Sequence, residues 1–402
     1  MQDTAAASLE EKKNIVFVSA VHDFRMLRRG SIQSLASAMA KMGHAVTFVS
    51  VRFSLLSLIK GDSRKFLWRK LNRPELVNGV LCYLWFTVLH PFQLKSKFIE
   101  SLLWPFYFLY KRSRNGFLDD SFRSAVIESG HGILFAERAR RLNSDAKIIY
   151  RASDKLSTIG ASGVLQAELE KNAKTFDWFC LLSADMADEF AWASEKTFCV
   201  PLGIDPEEYK NNGPNPYVMP VNAISVGSML FDPSVFQTAA VLFPAVQFHL
   251  IGCGAKFDAP ENVKFYEEMA FKDTLRYIEY ASIGIAPYRA TQGAGYLATS
   301  SLKLKQYEYL GIPAACPTFA VGQSKNRFGY EPTDEASIGR AIDEALSSEF
   351  VPVPVPLDWQ DLARRVLDPR HYPDCDLGEL TRADDGRAGL ANLNRSISGV
   401  SA

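Results

Sequence analysis

Short runs of β-branched and aromatic residues alternate with helical patterns along most of the chain, and this alternation constrains the fold more than any other feature. NIVFVSA (residues 14–20) reads as a buried strand, residues 31–42 as a helix and HAVTFVSV (44–51) as a second strand. Apolar runs of this length, without polar alternation, belong to strands covered on both faces, the pattern of βαβ units and parallel sheets. Further strands are predicted at 79–85, 124–128, 147–151, 178–183 and 197–201. NNGPNPYVMP (211–220), with three prolines and one glycine, interrupts the series and reads as a linker. A second series follows, with strands at 223–227, 247–251, 263–266, 283–286 and 314–316 and a helix over 301–310.

A chain of 402 residues exceeds one ordinary core. The expectation is an α/β protein of two domains, 13–210 and 221–350, joined by the linker 211–220. The proline-spaced strip VPVPVPLDW (351–359) opens a tail, 351–375, expected to cross back to the first domain. Residues 1–12 read as a disordered leader and 376–402, polar and unpatterned, as disordered.

Hydrophobic residues at 47% and charged residues at 22% suit a globular chain. Net charge is zero, yet residues 1–200 carry 28 Lys and Arg against 20 Asp and Glu, leaving the first half at +8 and the rest at −8. A basic half suits nucleic acid, anionic lipid or a phosphorylated substrate, and sign alone does not choose among them. The six cysteines show no CxxC pair and no zinc spacing, which points to free thiols in a reducing, cytoplasmic setting. No apolar run approaches the ~18 residues of a membrane span. LLWPFYFLY (102–110), flanked by lysines and arginines, is either a buried helix or a membrane-surface element. The similar mixture in LLSLIKGDSRKFLWRK (55–70) favours a membrane face.

Paired Rossmann-like halves raise the question of a dinucleotide. SAVHDFR (19–25) after the first strand has no glycine, and IGCGAKFD (251–258) has Gly252 and Gly254 but no third glycine to complete GxGxxG, so the fingerprint fails twice. A Walker motif is also absent. Gly252 and Gly254, past a buried strand, either admit a ligand close to the backbone or form an ordinary turn. Ser300 or Ser301 can cap the helix that follows, leaving its amide end free for a pyrophosphate. Lys303 in its first turn is either a phosphate partner or a solvated cation. Asp154, just past a strand in YRASDKLSTI (150–159), is either a general base or a helix cap. No His/Asp cluster suggests a metal, so neither metal nor cofactor is expected.

Seven segments in order then carry a resemblance: VHDFRMLRR (21–29), VRFSLLSLIKGD (51–62), CYLWFTVLHPF (82–92), YRASDKLSTI, VGSMLFDP (226–233), SSLKLKQY (300–307) and NRFGYEP (326–332). Over residues 14–372 the chain resembles the xanthan-pathway glucuronosyltransferases of glycosyltransferase family 70. That resemblance implies a GT-B fold, two Rossmann-like domains facing across a cleft. It further implies inverting transfer of glucuronic acid from UDP-glucuronate to a mannose on a polyprenyl-diphosphate-linked oligosaccharide, forming a β-1,2 linkage at the cytoplasmic face of a bacterial inner membrane. The partners are then a UDP-sugar, the lipid-linked acceptor and an anionic membrane surface, with no nucleic acid.

By the same resemblance Asp154 matches the catalytic base and Glu189 a second acidic residue that orients the acceptor or assists the base. Met229, Glu268 and Met269 match positions around the nucleotide, and Tyr288, Lys303 and Gln306 match donor-site positions. Two departures concern the sugar. Leu302 stands where the family has methionine, and RATQGAGYL (289–297) is glycine-richer than its counterpart. A same-fold transferase of another UDP-hexose, an epimerase of this architecture and a non-catalytic UDP-sugar-binding scaffold are the competing expectations.

Overall fold

A computed structural model describes residues 14–59, 61–87, 90, 120–210, 212–254 and 256–377. The segment 102–110, the leader and nearly all of the final tail lie outside the described residues.

The first sheet comprises β1 (Asn14–Ser19), β2 (Ala45–Ser54), β3 (Glu75–Val77), β4 (Val80–Thr87), β5 (Ser124–Glu128), β6 (Lys147–Ala152), β7 (Trp178–Leu181) and β8 (Thr197–Cys199), in the spatial order β3-β4-β2-β1-β5-β6-β7-β8. Every pairing is parallel except β3 with β4. β1 lies between β2 and β5, buried from Ile15 to Ser19, which is why its sequence shows no polar alternation. Phe17, Phe48, Val126, Ile149 and Phe179 fill the core of this half.

The second sheet comprises β9 (Asn222–Val226), β10 (Gln247–Ile251), β11 (Val263–Tyr266), β12 (Ile283–Ile285), β13 (Ala314–Pro317) and β14 (Arg327–Tyr330), all parallel, in the order β11-β10-β9-β12-β13-β14. Phe236, Phe248, Ile285 and Ile342 pack its own core. In each sheet the strand order reverses once at the centre, between β1 and β5 and between β9 and β12. Open α/β sheets place their ligands at the carboxyl side of that reversal.

Two strands were not anticipated. β3 and β4 form a tight hairpin through Asn78 and Gly79, both at positive φ (49° and 79°), and the Asn-Gly pair is itself the strongest short-range hairpin signal. β14 has only four residues, one of them a glycine, too short and too plain to stand out by pattern.

The stretch 55–70 folds as a short helix, Leu55–Ile59, followed by a 3-10 segment, Ser63–Lys70. Asp62 caps the second, accepting from the Arg64 amide at 2.9 Å and binding the Arg64 guanidinium through both oxygens at 3.0 and 2.8 Å. Arg64 also donates to the Val51 carbonyl at 2.9 Å and is buried, so it locks the segment to the end of β2. Phe66 and Trp68 remain 56% exposed.

Past the second sheet the chain returns. Helix Trp359–Leu367, capped by Asp358, buries Trp359, Leu362, Ala363 and Val366. The Trp178 indole of β7 donates to the Val366 carbonyl at 2.8 Å, tying this helix to the first domain. The described chain ends soon after Asp376, which bridges to Phe198.

Candidate active site

The carboxyl ends of both sheets open onto one cavity of about 670 Å3, a size suited to a nucleotide sugar. From the first domain come Ala20 to His22 after β1, Glu128 to His131 around the end of β5, and Ser153 and Asp154 after β6. From the second come Val226 to Met229 after β9, Gly252 after β10, Glu268 and Met269 after β11, and Tyr288 after β12. The turn that opens helix Leu302–Tyr309 completes the wall with Ser300, Ser301, Leu302, Lys303 and Gln306.

Ser301 is the cap of that helix: its hydroxyl accepts from the Leu304 amide at 3.2 Å and lies 2.5 Å from the Tyr288 hydroxyl. Ser300 does not cap, because its hydroxyl donates back to the Tyr296 carbonyl at 2.9 Å. Lys303 is not solvated. Its ammonium is buried 5.3 Å above the Tyr288 ring, with no hydrogen-bond partner, and burial lowers its pKa to about 8. An unpaired buried cation is unfavourable, so the site is built to receive an anion. Gly252, at φ 59°, lies in the wall, and Gly254 lies outside it. Glu268 reaches across the cleft, where one oxygen accepts from the Arg28 amide at 3.4 Å and the other lies 3.8 Å from the Arg28 guanidinium.

Asp154 does not cap a helix. The helix Gly163–Lys171 that follows is capped by Ser162, which accepts from the Val164 amide at 3.2 Å. Instead the Tyr296 hydroxyl, from the other domain, donates to Asp154 Oδ1 at 2.8 Å. Ser129 pins the same loop, donating to the Asp154 carbonyl at 2.9 Å. Burial foremost, opposed by the Tyr296 bond and aided by the charge of nearby Glu128, raises the Asp154 pKa to about 7. A carboxyl balanced near neutrality is matched to general-base work at physiological pH.

The sequence reading did not single out Glu128, His22 or Tyr296. Glu128 accepts from the Ser19 hydroxyl at 2.5 Å, and burial lifts its pKa to about 7. His22, 4.0 Å from Glu128, is held neutral by burial and by the charge of Arg28, with a pKa near 4. Its Nδ1 is buried without a partner, in the cavity wall. Glu128 closes a buried strand, so the reasoning that found Asp154 past its strand applies equally to it. Glu189 lies outside the cavity wall; its carboxylate sits 3.7 Å from the Lys155 ammonium and 3.4 Å from the Ser157 hydroxyl. Among the described residues no group of three or more His, Cys, Asp and Glu side chains is arranged to share a metal ion.

A family model described as "Glucuronosyltransferase GumK, N-terminal domain" matches residues 17–182. The UDP-glucuronate:glycolipid 2-beta-glucuronosyltransferase of Xanthomonas campestris pv. campestris is 40% identical over 375 residues, 92% of this chain and 93% of that one. Among solved structures, Anabaena HepE in complex with UDP and glucose superposes with a TM-score of 0.51 at 13% identity, covering 94% of this chain and 100% of its own. The UDP-forming α,α-trehalose-phosphate synthase of Burkholderia xenovorans gives a TM-score of 0.52 at 11% identity, covering 92% and 99%. At these identities the solved structures speak to the fold alone, which is GT-B.

Proposed function

This chain belongs to the GumK glucuronosyltransferase family, and we propose that it transfers glucuronic acid from UDP-glucuronate to the 2-hydroxyl of a mannose on a polyprenyl-diphosphate-linked oligosaccharide. The product carries a β-1,2 linkage and serves exopolysaccharide repeat-unit assembly. The observation that carries this reading is that a carboxyl poised near neutrality, Asp154, and an unpaired ammonium, Lys303, line one cavity from opposite domains.

Asp154 takes the proton from the acceptor hydroxyl as that oxygen bonds to the anomeric carbon. The bond from the anomeric carbon to the β-phosphate oxygen breaks, and its electron pair leaves with UDP. The negative charge that grows on the phosphate meets Lys303 and the amide end of helix Leu302–Tyr309. Attack and departure on opposite faces invert the anomeric centre. Glu268 and Met229 contact the nucleoside, which requires Glu268 to exchange Arg28 for the ribose. Glu189 supports the loop of the base through Lys155. With phosphate charge met by side chain and helix end, the reaction proceeds without a metal.

The acceptor is a lipid, and the first domain carries a face suited to its membrane. Ile59 (82% exposed), Phe66 and Trp68 stand out of the surface beside exposed Lys65, Arg69 and Lys70. Aromatic side chains interleaved with cations match the headgroup region of an anionic leaflet. The enzyme is then peripheral at the cytoplasmic face of the inner membrane; no described helix is long and apolar enough to cross it.

The test is UDP release from UDP-glucuronate, with and without a mannose-terminated lipid-diphosphate acceptor, in excess EDTA, beside Asp154→Asn. Acceptor-dependent release that the variant lacks supports the reading. Release without acceptor points to an epimerase or hydrolase, and bound UDP without release from any UDP-hexose points to a scaffold.

A further inference from the structure

The catalytic base of this site is completed from the opposite domain. We propose that Tyr296, on the glycine-rich segment 289–297 of the donor domain, is a positioning residue that orients Asp154 and keeps it ionised for the acceptor hydroxyl. This inference rests on the assignment of Asp154 as the base.

Three observations carry it. The Tyr296 side chain is buried, 1% exposed, and its hydroxyl donates to Asp154 Oδ1 at 2.8 Å across a separation of 142 residues. Tyr296 is not itself in the cavity wall, whereas Asp154 is, so it acts from behind the carboxyl and leaves the second oxygen for substrate. The segment that delivers it crosses the cleft: a β-carbon at Gly293, which sits at φ 79°, would come 3.7 Å from the Lys155 side chain, and the Thr158 hydroxyl lies 3.4 Å from that of Tyr296. The glycine richness that departs from the family pattern thus has a local use, since a β-carbon at Gly293 would be strained in that left-handed turn.

The consequence is a base whose proton affinity depends on domain apposition. The groups that act on the Asp154 carboxyl are Tyr296 from the donor domain and Glu128 at the end of β5; Tyr150 and Tyr288 feel its charge, and Lys155, next in the chain, is paired with Glu189. His22, His131, Tyr288 and Lys303 line the same cavity. Of the groups acting on the carboxyl itself, burial and Glu128 favour the protonated form, and Tyr296 opposes them. Withdrawal of the donor domain would remove the Tyr296 hydroxyl together with the part of the burial that the donor domain supplies, so both the aim and the proton affinity of Asp154 depend on the two domains being together.

The experiment compares pH profiles of kcat for the full-length enzyme, Tyr296→Phe, Gly293→Ala and Asp154→Asn, with UDP affinity and melting temperature measured for each. Tyr296→Phe keeps the ring, so the expected result is an acidic limb moved up by about one pH unit. Activity then falls roughly tenfold below the limb and recovers at high pH, with UDP affinity unchanged. Gly293→Ala, which disturbs the segment through its backbone, shifts the limb the same way and decides the matter should Tyr296→Phe fail to fold. Unmoved limbs in both variants, with Asp154→Asn inactive, overturn the role of Tyr296 alone. Substantial activity in Asp154→Asn overturns the base and this inference together.

Discussion

The ammonium of Lys303 lies 5.3 Å from the centre of the Tyr288 ring, and no hydrogen-bond acceptor meets it. On the proposed function, its position in the first turn of helix Leu302–Tyr309, beside the Ser301 cap, makes the donor's diphosphate its expected partner in preference to the sugar carboxylate. Lys303→Ala should therefore weaken UDP, UDP-glucuronate and UDP-glucose alike, by about 10- to 100-fold. Calorimetric titration of the three ligands checks this, and a loss confined to UDP-glucuronate would reassign Lys303 to the carboxylate. Because the free ammonium titrates near 8, UDP affinity of the unaltered enzyme should decline above that pH, a decline that the alanine variant lacks.

Asp154 should cost the empty protein stability. Its folded pKa, raised to about 7, exceeds the unfolded value of ~3.9, so between those limits the unfolded chain releases a proton that the native state retains. Stability is full below about pH 4, falls as pH rises to about 7 and then levels. Asp154→Asn removes this dependence and should melt above the unaltered protein at pH 8 by the order of a few degrees, with the gap closing toward pH 4. Scanning calorimetry across that range checks it; a variant that melts lower at pH 8 would contradict the raised pKa.

The returning helix Trp359–Leu367 leaves no room at Gly203. A β-carbon there would stand 2.4 Å from Leu362 Cδ1 and 2.8 Å from the Leu357 carbonyl oxygen. Gly203→Ala should lose about 1–3 kcal/mol of stability through overpacking. Chemical denaturation provides the measure, and an unchanged midpoint would mean that this contact yields freely.

Phe66 and Trp68 are each 56% exposed, and the Arg69 guanidinium lies 5.0 Å from the centre of the Trp68 ring. Replacing both with serine should leave melting temperature and UDP affinity near those of the unaltered protein while reducing co-sedimentation with anionic lipid vesicles several-fold. Binding that high salt abolishes but the double variant retains would assign the attachment to Lys65, Arg69 and Lys70 alone.

Much of the fold is legible because a parallel strand covered on both faces is predominantly apolar: β5 and β10, inside their sheets, fall at their expected residues. Edge strands escape that rule. β3, with Leu76 exposed, has no buried face to write a pattern, although its Asn-Gly turn was visible. In the site, helix-end chemistry narrowed the cap to Ser300 or Ser301 and left Lys303 as phosphate partner or solvated cation; the structure makes Ser301 the cap and buries the Lys303 ammonium. Tyr296 could not be found that way, because its meaning lies in a contact with Asp154, and nothing local to 289–297 points across the cleft. The burial that shifts Asp154 and Glu128 is likewise a property of two assembled domains.

The helix Trp359–Leu367 also bears on how the protein is made. The residues it covers, Trp178 and Gly203 among them, belong to the half that is translated before it, yet their cover is encoded about 160 to 190 residues later. Until that helix is made, the earlier half presents an apolar seam to the solvent, the kind of surface on which nascent chains associate or recruit chaperones. A fragment ending at residue 210 should inherit the same exposed seam permanently, so the domain that is translated first is the last to be finished.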